Sequence, residues 1–134
     1  MKVLVTGCAG FIGYHVCDYL LKKKCQVIGI DNINSYYDVG LKKDRLKNLR
    51  KNKNFNFNKI DISNYKKLKS IFIKKKFDYV IHLAAQAGVR FSIFNPSVYF
   101  KSNLEGFFNI ISLSNQKKIK HFIFASSSSV YGDQ

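Results

Sequence analysis

Thr6-Gly7-Cys8-Ala9-Gly10-Phe11-Ile12-Gly13 spaces three glycines as G-x-x-G-x-x-G, a pattern whose chemistry is the holding of a phosphate. The pattern has that meaning only between a strand and a helix. There Gly7 permits a tight exit from the strand and Gly10 lets backbone N–H groups approach a pyrophosphate at the helix N-terminus. Gly13 lets the helix pack closely on the sheet. Asp31, 18 residues beyond Gly13, stands where a carboxylate accepts from ribose hydroxyls. It would repel a 2′-phosphate, which points to NAD rather than NADP. Asp61-Ile62 is placed for an adenine edge, and Leu83-Ala84-Ala85 is small enough for a dinucleotide to cross. Each feature alone is ordinary at a strand end; the set of them at successive strand ends favours a dinucleotide site. Ser126–Ser129 adds hydroxyls that both donate and accept, which suits an oxygen alternating between alcohol and ketone. Four serines equally make a polar turn. Cys8 lies at a helix N-terminus, where a thiol can become acidic, although a small tolerated side chain is the simpler reading.

Those residues need a scaffold, and apolar periodicity supplies one by alternating between two kinds. Residues 2–6 read as a buried strand and 11–23 as a helix. Gln26–Ile30 is a second strand and Val39–Arg50 a helix. Phe55–Ile60 is a third strand, Asn64–Phe72 a helix and Tyr79–Leu83 a fourth strand. Asn95-Pro96 is a good helix start, and that helix runs to about Ser114; His121–Ala125 is a fifth strand. Five strands alternating with helices predict an α/β fold, a Rossmann-type doubly wound parallel sheet. No repeat or linker divides the chain, so residues 1–134 read as one dinucleotide-binding domain. The fifth strand is left as an edge, as expected of the first part of a longer protein with its later strands and substrate domain elsewhere.

Composition narrows the class. Apolar residues make up 46% and aromatics 15%, enough to bury a core. No apolar run reaches the length of a membrane span, and the glycines in the apolar N-terminal stretch suit a strand and turn better than a signal helix. A cytoplasmic protein is expected. Cys8, Cys17 and Cys25 form no C-x-x-C pair and are expected reduced and mostly buried; neither they nor the 3 histidines have ligand spacing, so no metal is expected. The net charge of +15 raises the question of nucleic acid, but it comes from 20 lysines and only three arginines. Lys22–Lys24, Lys51 and Lys53, Lys74–Lys76, and Lys117, Lys118 and Lys120 all fall where a helix ends. There they complement the helix dipole, at the opposite end of the sheet from the ligand crevice. A solvated rim is expected, with no nucleic-acid partner.

Taken together, Thr6-Gly7-x-x-Gly10-Phe11-Ile12-Gly13, Asp31-Asn32, Asp61-Ile62, His82-Leu83-Ala84-Ala85 and Ser126-Ser127-Ser128-Ser129-Val130-Tyr131-Gly132 resemble the extended short-chain dehydrogenase/reductases. These include the NAD-dependent sugar-nucleotide epimerases and dehydratases. Asp31-Asn-Ile-Asn-Ser-Tyr-Tyr-Asp38 and Ala84-Ala-Gln-Ala-Gly-Val-Arg-Phe-Ser92 are similar to UDP-glucuronate 4-epimerases. The resemblance spans this chain but only the first part of such an enzyme. It implies a UDP-sugar substrate, hydride transfer from sugar C4 to NAD+, and return of the hydride to the other face of a 4-keto intermediate. Ser127 would hydrogen-bond the C4 oxygen, with Ser128 or Ser126 beside it. Phe11, Ile12, Asn32, Asn34 and Asn103 would join the cofactor site. Arg90, on the loop after the fourth strand, would meet substrate phosphate or carboxylate, or else be a surface charge. The apolar helix from Pro96 to Ser114 would help build a homodimer, and it must also cover the sheet.

The family's Tyr-x-x-x-Lys pair follows the fifth strand, and these 134 residues do not carry it there. Tyr19/Lys23 and Tyr65/Lys69 match the spacing but lie on other helices. The chain alone is therefore expected to be inactive. A non-catalytic NAD-binding module or remnant, and a nucleotide-sugar dehydratase or decarboxylase, are the alternative readings.

Overall fold

The computed structural model describes residues 1–132. Strand β1 (Lys2–Thr6) is a run of apolar, mostly β-branched residues, as a strand covered on both faces requires. The glycine turn leads into α1 (Phe11–Lys22), then β2 (Gln26–Asp31), α2 (Val39–Leu49), β3 (Phe55–Lys59) and α3 (Tyr65–Lys74). After β4 (Tyr79–His82) come α4 (Val89–Phe94), α5 (Pro96–Tyr99), a π-helical stretch Phe100–Gly106, α6 (Phe107–Gln116), β5 (His121–Phe124) and a 3-10 turn Ser128–Tyr131. All pairings are parallel and the strand order is β3-β2-β1-β4-β5. The chain winds outward from β1 to β3, then crosses back to β4. The order therefore reverses between β1 and β4, and a crevice opens beyond their C-terminal ends.

Each face of the sheet has its own core, which makes the fold doubly wound. Val3, Val5 and Val27 pack with Cys17, Leu20 and Leu21 of α1 and Leu46 and Leu49 of α2. Leu4, Ile28, Ile30 and Val80 pack with Leu68, Ile71 and Phe72 of α3 and Ile110 and Leu113 of α6 on the other. Neighbouring residues of β1 thus point into different cores, as the two-residue period of a strand requires.

The expected α/β architecture is present, with local corrections: β2 runs one residue further, to Asp31, and β3 and β5 each end one residue earlier, at Lys59 and Phe124. Strand β4 stops at His82, one residue short: Leu83 N–H is shared between the Thr6 carbonyl, at 3.3 Å, and the Thr6 hydroxyl, and Ala84 N–H turns to the hydroxyl. The segment expected to be a loop contains helix α4, so Arg90 stands on a helix. The helix expected from Pro96 to Ser114 passes through a π-helical stretch, whose wider turn rotates the residues after Phe100 off a regular α-helical stripe. The lysine clusters do fall at helix ends: α1 closes at Lys22 and α3 at Lys74. Lys2, Lys53 and Lys74–Lys76 line a groove with Gln26 and Asn54 where β1, β2 and β3 begin, away from the crevice. Among the described residues, no helix is long and apolar enough to cross a membrane.

Close approach of backbones fixes the crevice floor. Gly7 has φ +70°, and a Cβ there would lie 2.8 Å from the Ala84 nitrogen. A Cβ on Gly13 would lie 2.0 Å from the Gly7 carbonyl oxygen, so α1 sits directly on the turn that precedes it. Thr6 then ties the two central strands. Its Oγ1 accepts from Leu83 N–H at 3.2 Å and Ala84 N–H at 3.1 Å, so its own proton goes to His82 Nδ1, 2.7 Å away. The His82 ring is therefore neutral with its proton on Nε2. Burial pulls its pKa down from 6.5 to about 4.

Gly13→Ala must separate α1 from the glycine turn and is expected to cost about 3 kcal/mol, read as a lower urea midpoint; an unchanged midpoint would contradict the packing. For His82, the unfolded chain takes up a proton near pH 6.5 while the folded chain refuses it until about pH 4. Stability therefore falls as pH drops through that window, by on the order of 3 kcal/mol in total, and His82→Gln flattens this part of the stability–pH curve.

Candidate functional site

The crevice beyond β1 and β4 is lined by Gly7, Gly10, Asp31, Asn32, Asn34, Ile62, Leu83, Ala84 and Ala85, with Tyr36, Tyr37, Lys42, Gln86 and Ser102 among the remainder. Nine of the residues singled out from the sequence thus share one concave surface. Its floor is the start of α1. That helix begins at Gly10 with no side-chain cap and no acidic residue in its first turn. By contrast, Asp38 caps α2 through Gly40 and Leu41 N–H, and Asn64 caps α3 through Lys67 N–H. The first N–H groups of a helix have no partner inside the helix and carry partial positive charge, so the bare start of α1 suits an anion.

The carboxylates are organised before any ligand arrives. Asp31, 8% exposed, accepts from Ala9 N–H at 3.1 Å on Oδ2 and from Ile33 N–H at 2.8 Å on Oδ1. Each oxygen keeps a lone pair for a further donor. Ile33 itself adopts φ +54°, a conformation rare for a β-branched residue, and the Asp31 bond helps hold it there. Asp61 does not line the crevice; its neighbours Ile60 and Ile62 do. Its carboxylate instead accepts from Asn32 Nδ2 at 2.9 Å and from Ser63 N–H and Oγ at 3.0 and 2.8 Å. Burial raises the Asp61 pKa, but these hydrogen bonds and the charge of Lys101 outweigh it and leave the group below the ordinary carboxylate value.

The other expected site residues separate into groups. Phe11 and Ile12 form the first turn of α1 and are 67% and 61% exposed, outside the crevice lining. Gly13 is buried and acts through packing. Asn103 sits on the π-helical stretch with both ends of its amide used: Oδ1 accepts from Gln86 N–H at 2.8 Å and Nδ2 donates to Gln86 O at 2.9 Å. It therefore holds the wall after β4 in place. Ser126, Ser127 and Ser128 are exposed beyond β5. Ser127 Oγ accepts from Ser129 N–H at 3.2 Å and lies 3.1 Å from Ser129 Oγ, so its partner is Ser129 and neither Ser126 nor Ser128. Arg90 is exposed on α4 and also lies outside the lining.

Several lining residues were not legible as such. Lys42 is 6% exposed, and its ammonium donates to Asn34 O at 2.9 Å and Asn34 Oδ1 at 2.7 Å. No carboxylate pairs with it among the described residues, so a buried cation faces the crevice. Tyr36 and Tyr37 pack edge to face at 4.7 Å, and Tyr36 meets Phe91 of α4 at 4.9 Å, closing one side. Tyr99 OH donates to Ala87 O at 2.6 Å, a second tie on the wall after β4. The two Tyr-x-x-x-Lys matches are helix-surface contacts: Lys23 Nζ lies 5.6 Å from the Tyr19 ring and Lys69 Nζ 5.7 Å from the Tyr65 ring. Cys8 is fully buried, and burial, together with the nearby Cys17 and Asp31, pushes its thiol pKa up. The acidic-thiol reading is thereby overturned.

The GDP-mannose 4,6 dehydratase family model matches residues 4–134. The CapI protein of Staphylococcus aureus is 52% identical over 98% of this chain and 39% of its own length. The UDP-glucuronate 4-epimerase of Thermodesulfobacterium geofontis is 50% identical over 98% of this chain and 41% of its own. This chain thus spans about two-fifths of the length of the curated relatives it matches. Among solved structures, the UDP-glucuronic acid 4-epimerase of Bacillus cereus, in complex with UDP-glucuronic acid and NAD, superposes with a TM-score of 0.82. It is 38% identical, over 100% of this chain and 42% of that one. With the doubly wound sheet, the glycine turn and these matches in agreement, the chain belongs to the GDP-mannose 4,6 dehydratase family.

Proposed function

We propose that this chain is the NAD-binding part of a nucleotide-sugar epimerase that interconverts UDP-glucuronate and UDP-galacturonate. The observation that carries the reading is the uncapped start of α1 opening into a crevice walled by Asp31 and by Leu83–Ala85. The fit to a dinucleotide is chemical as well as spatial. No Cβ can be placed on Gly7 without striking the β4 exit, so the backbone itself lines the site. Asp31 retains acceptor capacity for ribose hydroxyls, and Ile62, Leu83 and Ala84 offer apolar walls for a base and a ring. Gly7 and Gly10 would hold the diphosphate with the first N–H groups of α1, at Phe11 and Ile12. Asn32, Asn34 and Lys42 would bound the adenosine side, where Asp61 orients Asn32. Asn103, through Gln86, would keep the opposite wall in register.

When bound, NAD+ supplies an acceptor and later a donor of hydride at the sugar carbon. This chain's own contribution to that step is the hydroxyl group of Ser127, which would donate to and accept from the C4 oxygen, with Ser126 and Ser128 next to it. Arg90 would meet the charged end of the substrate. The Tyr-x-x-x-Lys pair of the family is not among these residues, so we expect them to bind cofactor without turning substrate over. Phe100, Leu104, Phe108 and Ile111 are exposed apolar residues along the helix from Pro96, which supports a homodimer in the whole protein. Three free, buried thiols support a cytoplasmic location. The epimerase reading is favoured over a dehydratase because a relative named as a UDP-glucuronate 4-epimerase is 50% identical.

Calorimetry with NAD+ and NADP+ tests the cofactor. Saturable NAD+ binding is expected, with NADP+ weaker by about tenfold or more, and Asp31→Asn should narrow that gap. NADP+ binding as tightly as NAD+ would contradict the role given to Asp31. Chromatography of UDP-glucuronate incubated with the protein that carries these residues tests the reaction; a dehydrated or decarboxylated product would replace the epimerase reading.

A further inference from the structure

The backbone is gripped on both sides of Ala9. Its N–H donates to Asp31 Oδ2 at 3.1 Å, and its carbonyl accepts from Arg45 Nη1 at 3.2 Å. Ala9 is fully buried, and Arg45 reaches it from α2 with its guanidinium carbon 5.8 Å from the centre of the Phe11 ring. No carboxylate pairs with Arg45 among the described residues. One guanidinium is thus committed to one buried carbonyl at the glycine turn. Neither Ala9 nor Arg45 lines the crevice, so the bond lies outside the lining that Gly7 and Gly10 share.

The orientation of that carbonyl matters because the next residue, Gly10, is where α1 begins without a cap. If the Ala9–Gly10 peptide rotated, the carbonyl oxygen would be brought toward the N–H groups of the first turn, and its negative end would oppose an anion there. Gly10 resists such a rotation weakly, having no side chain. Two hydrogen bonds oppose it: the charge-assisted one from the Arg45 guanidinium to the carbonyl, and one from the N–H of the same peptide, at Gly10, to Gly7 O at 3.0 Å. We propose that Arg45 is a positioning residue of the cofactor site. It holds the Ala9 carbonyl out of the crevice, so that the start of α1 stays open to the diphosphate of a dinucleotide. The inference rests on the NAD reading above.

The test uses the protein carrying these residues, with Arg45→Met, which keeps an apolar stem beside Phe11, and Arg45→Lys, which keeps a charged donor. NAD+, ADP and adenosine are titrated against each, and thermal unfolding is recorded. Arg45→Met is expected to weaken NAD+ and ADP by about tenfold while adenosine changes less than about twofold, with unfolding unchanged. Arg45→Lys is expected to recover most of the loss. Unchanged NAD+ and ADP affinity in Arg45→Met would overturn the proposal, and so would an equal loss for adenosine, which marks general loosening. Failure of the unsubstituted protein to take up NAD+ would overturn the NAD reading and this role with it.

Discussion

Four backbone segments converge on Gly7, and the absence of side-chain volume there is the constraint on which the rest depends. Gly7 N–H and Cys8 N–H both donate to Ile30 O, at 2.8 and 3.2 Å, which fastens the turn to the end of β2. The exit of β4 passes within contact distance on the other side, and Gly13 brings α1 down onto the Gly7 carbonyl. Thr6 closes the arrangement by joining β1 to Leu83 and Ala84. With three strands and a helix meeting this closely, the helix start can point only into the crevice between β1 and β4. A methyl group at either glycine would separate elements that the sheet has already fixed.

The charges around that point are arranged to the same end. Asp31 is held by two backbone N–H donors, and donors from Asn32 and Ser63 keep Asp61 below the ordinary carboxylate value. Two carboxylates near a site for a diphosphate would repel it without compensation. Lys42 and Arg45, one helical turn apart on α2, supply that positive charge, and each is anchored to a carbonyl oxygen and not to a carboxylate. Lys42 faces the crevice, and Arg45, outside it, leaves its charge unneutralised beside the glycine turn. Helix α2 is thus more than a cover for the first core: it carries the counter-charge of the site.

The fold was legible because its signals are local. Alternating apolar runs mark every strand, and the Gly7, Gly10 and Gly13 spacing makes sense only at a strand–helix junction. Asp31 and Leu83–Ala85 were legible for the same reason, since each ends a strand in the row that flanks the crevice. What escaped the sequence depends on contact across the chain. Lys42 looks like one more surface lysine until Asn34 is seen to fold back over its ammonium. Arg45 shows its purpose only once α2 lies against the glycine turn. The π-helical stretch cannot be read from residue types, and it changes which side chains of that helix face the wall, so Asn103 meets Gln86 rather than the crevice. Cys8 was expected to be buried, and the turn does bury it, against Gly29.

The most direct test is a crystal structure of the protein soaked with NAD+. The account places the adenosine ribose hydroxyls on Asp31 and the diphosphate on the N–H groups of Phe11 and Ile12, with the Ala9 carbonyl still bonded to Arg45. Density for the dinucleotide anywhere else on the molecule, or a diphosphate lying away from the start of α1, would contradict it.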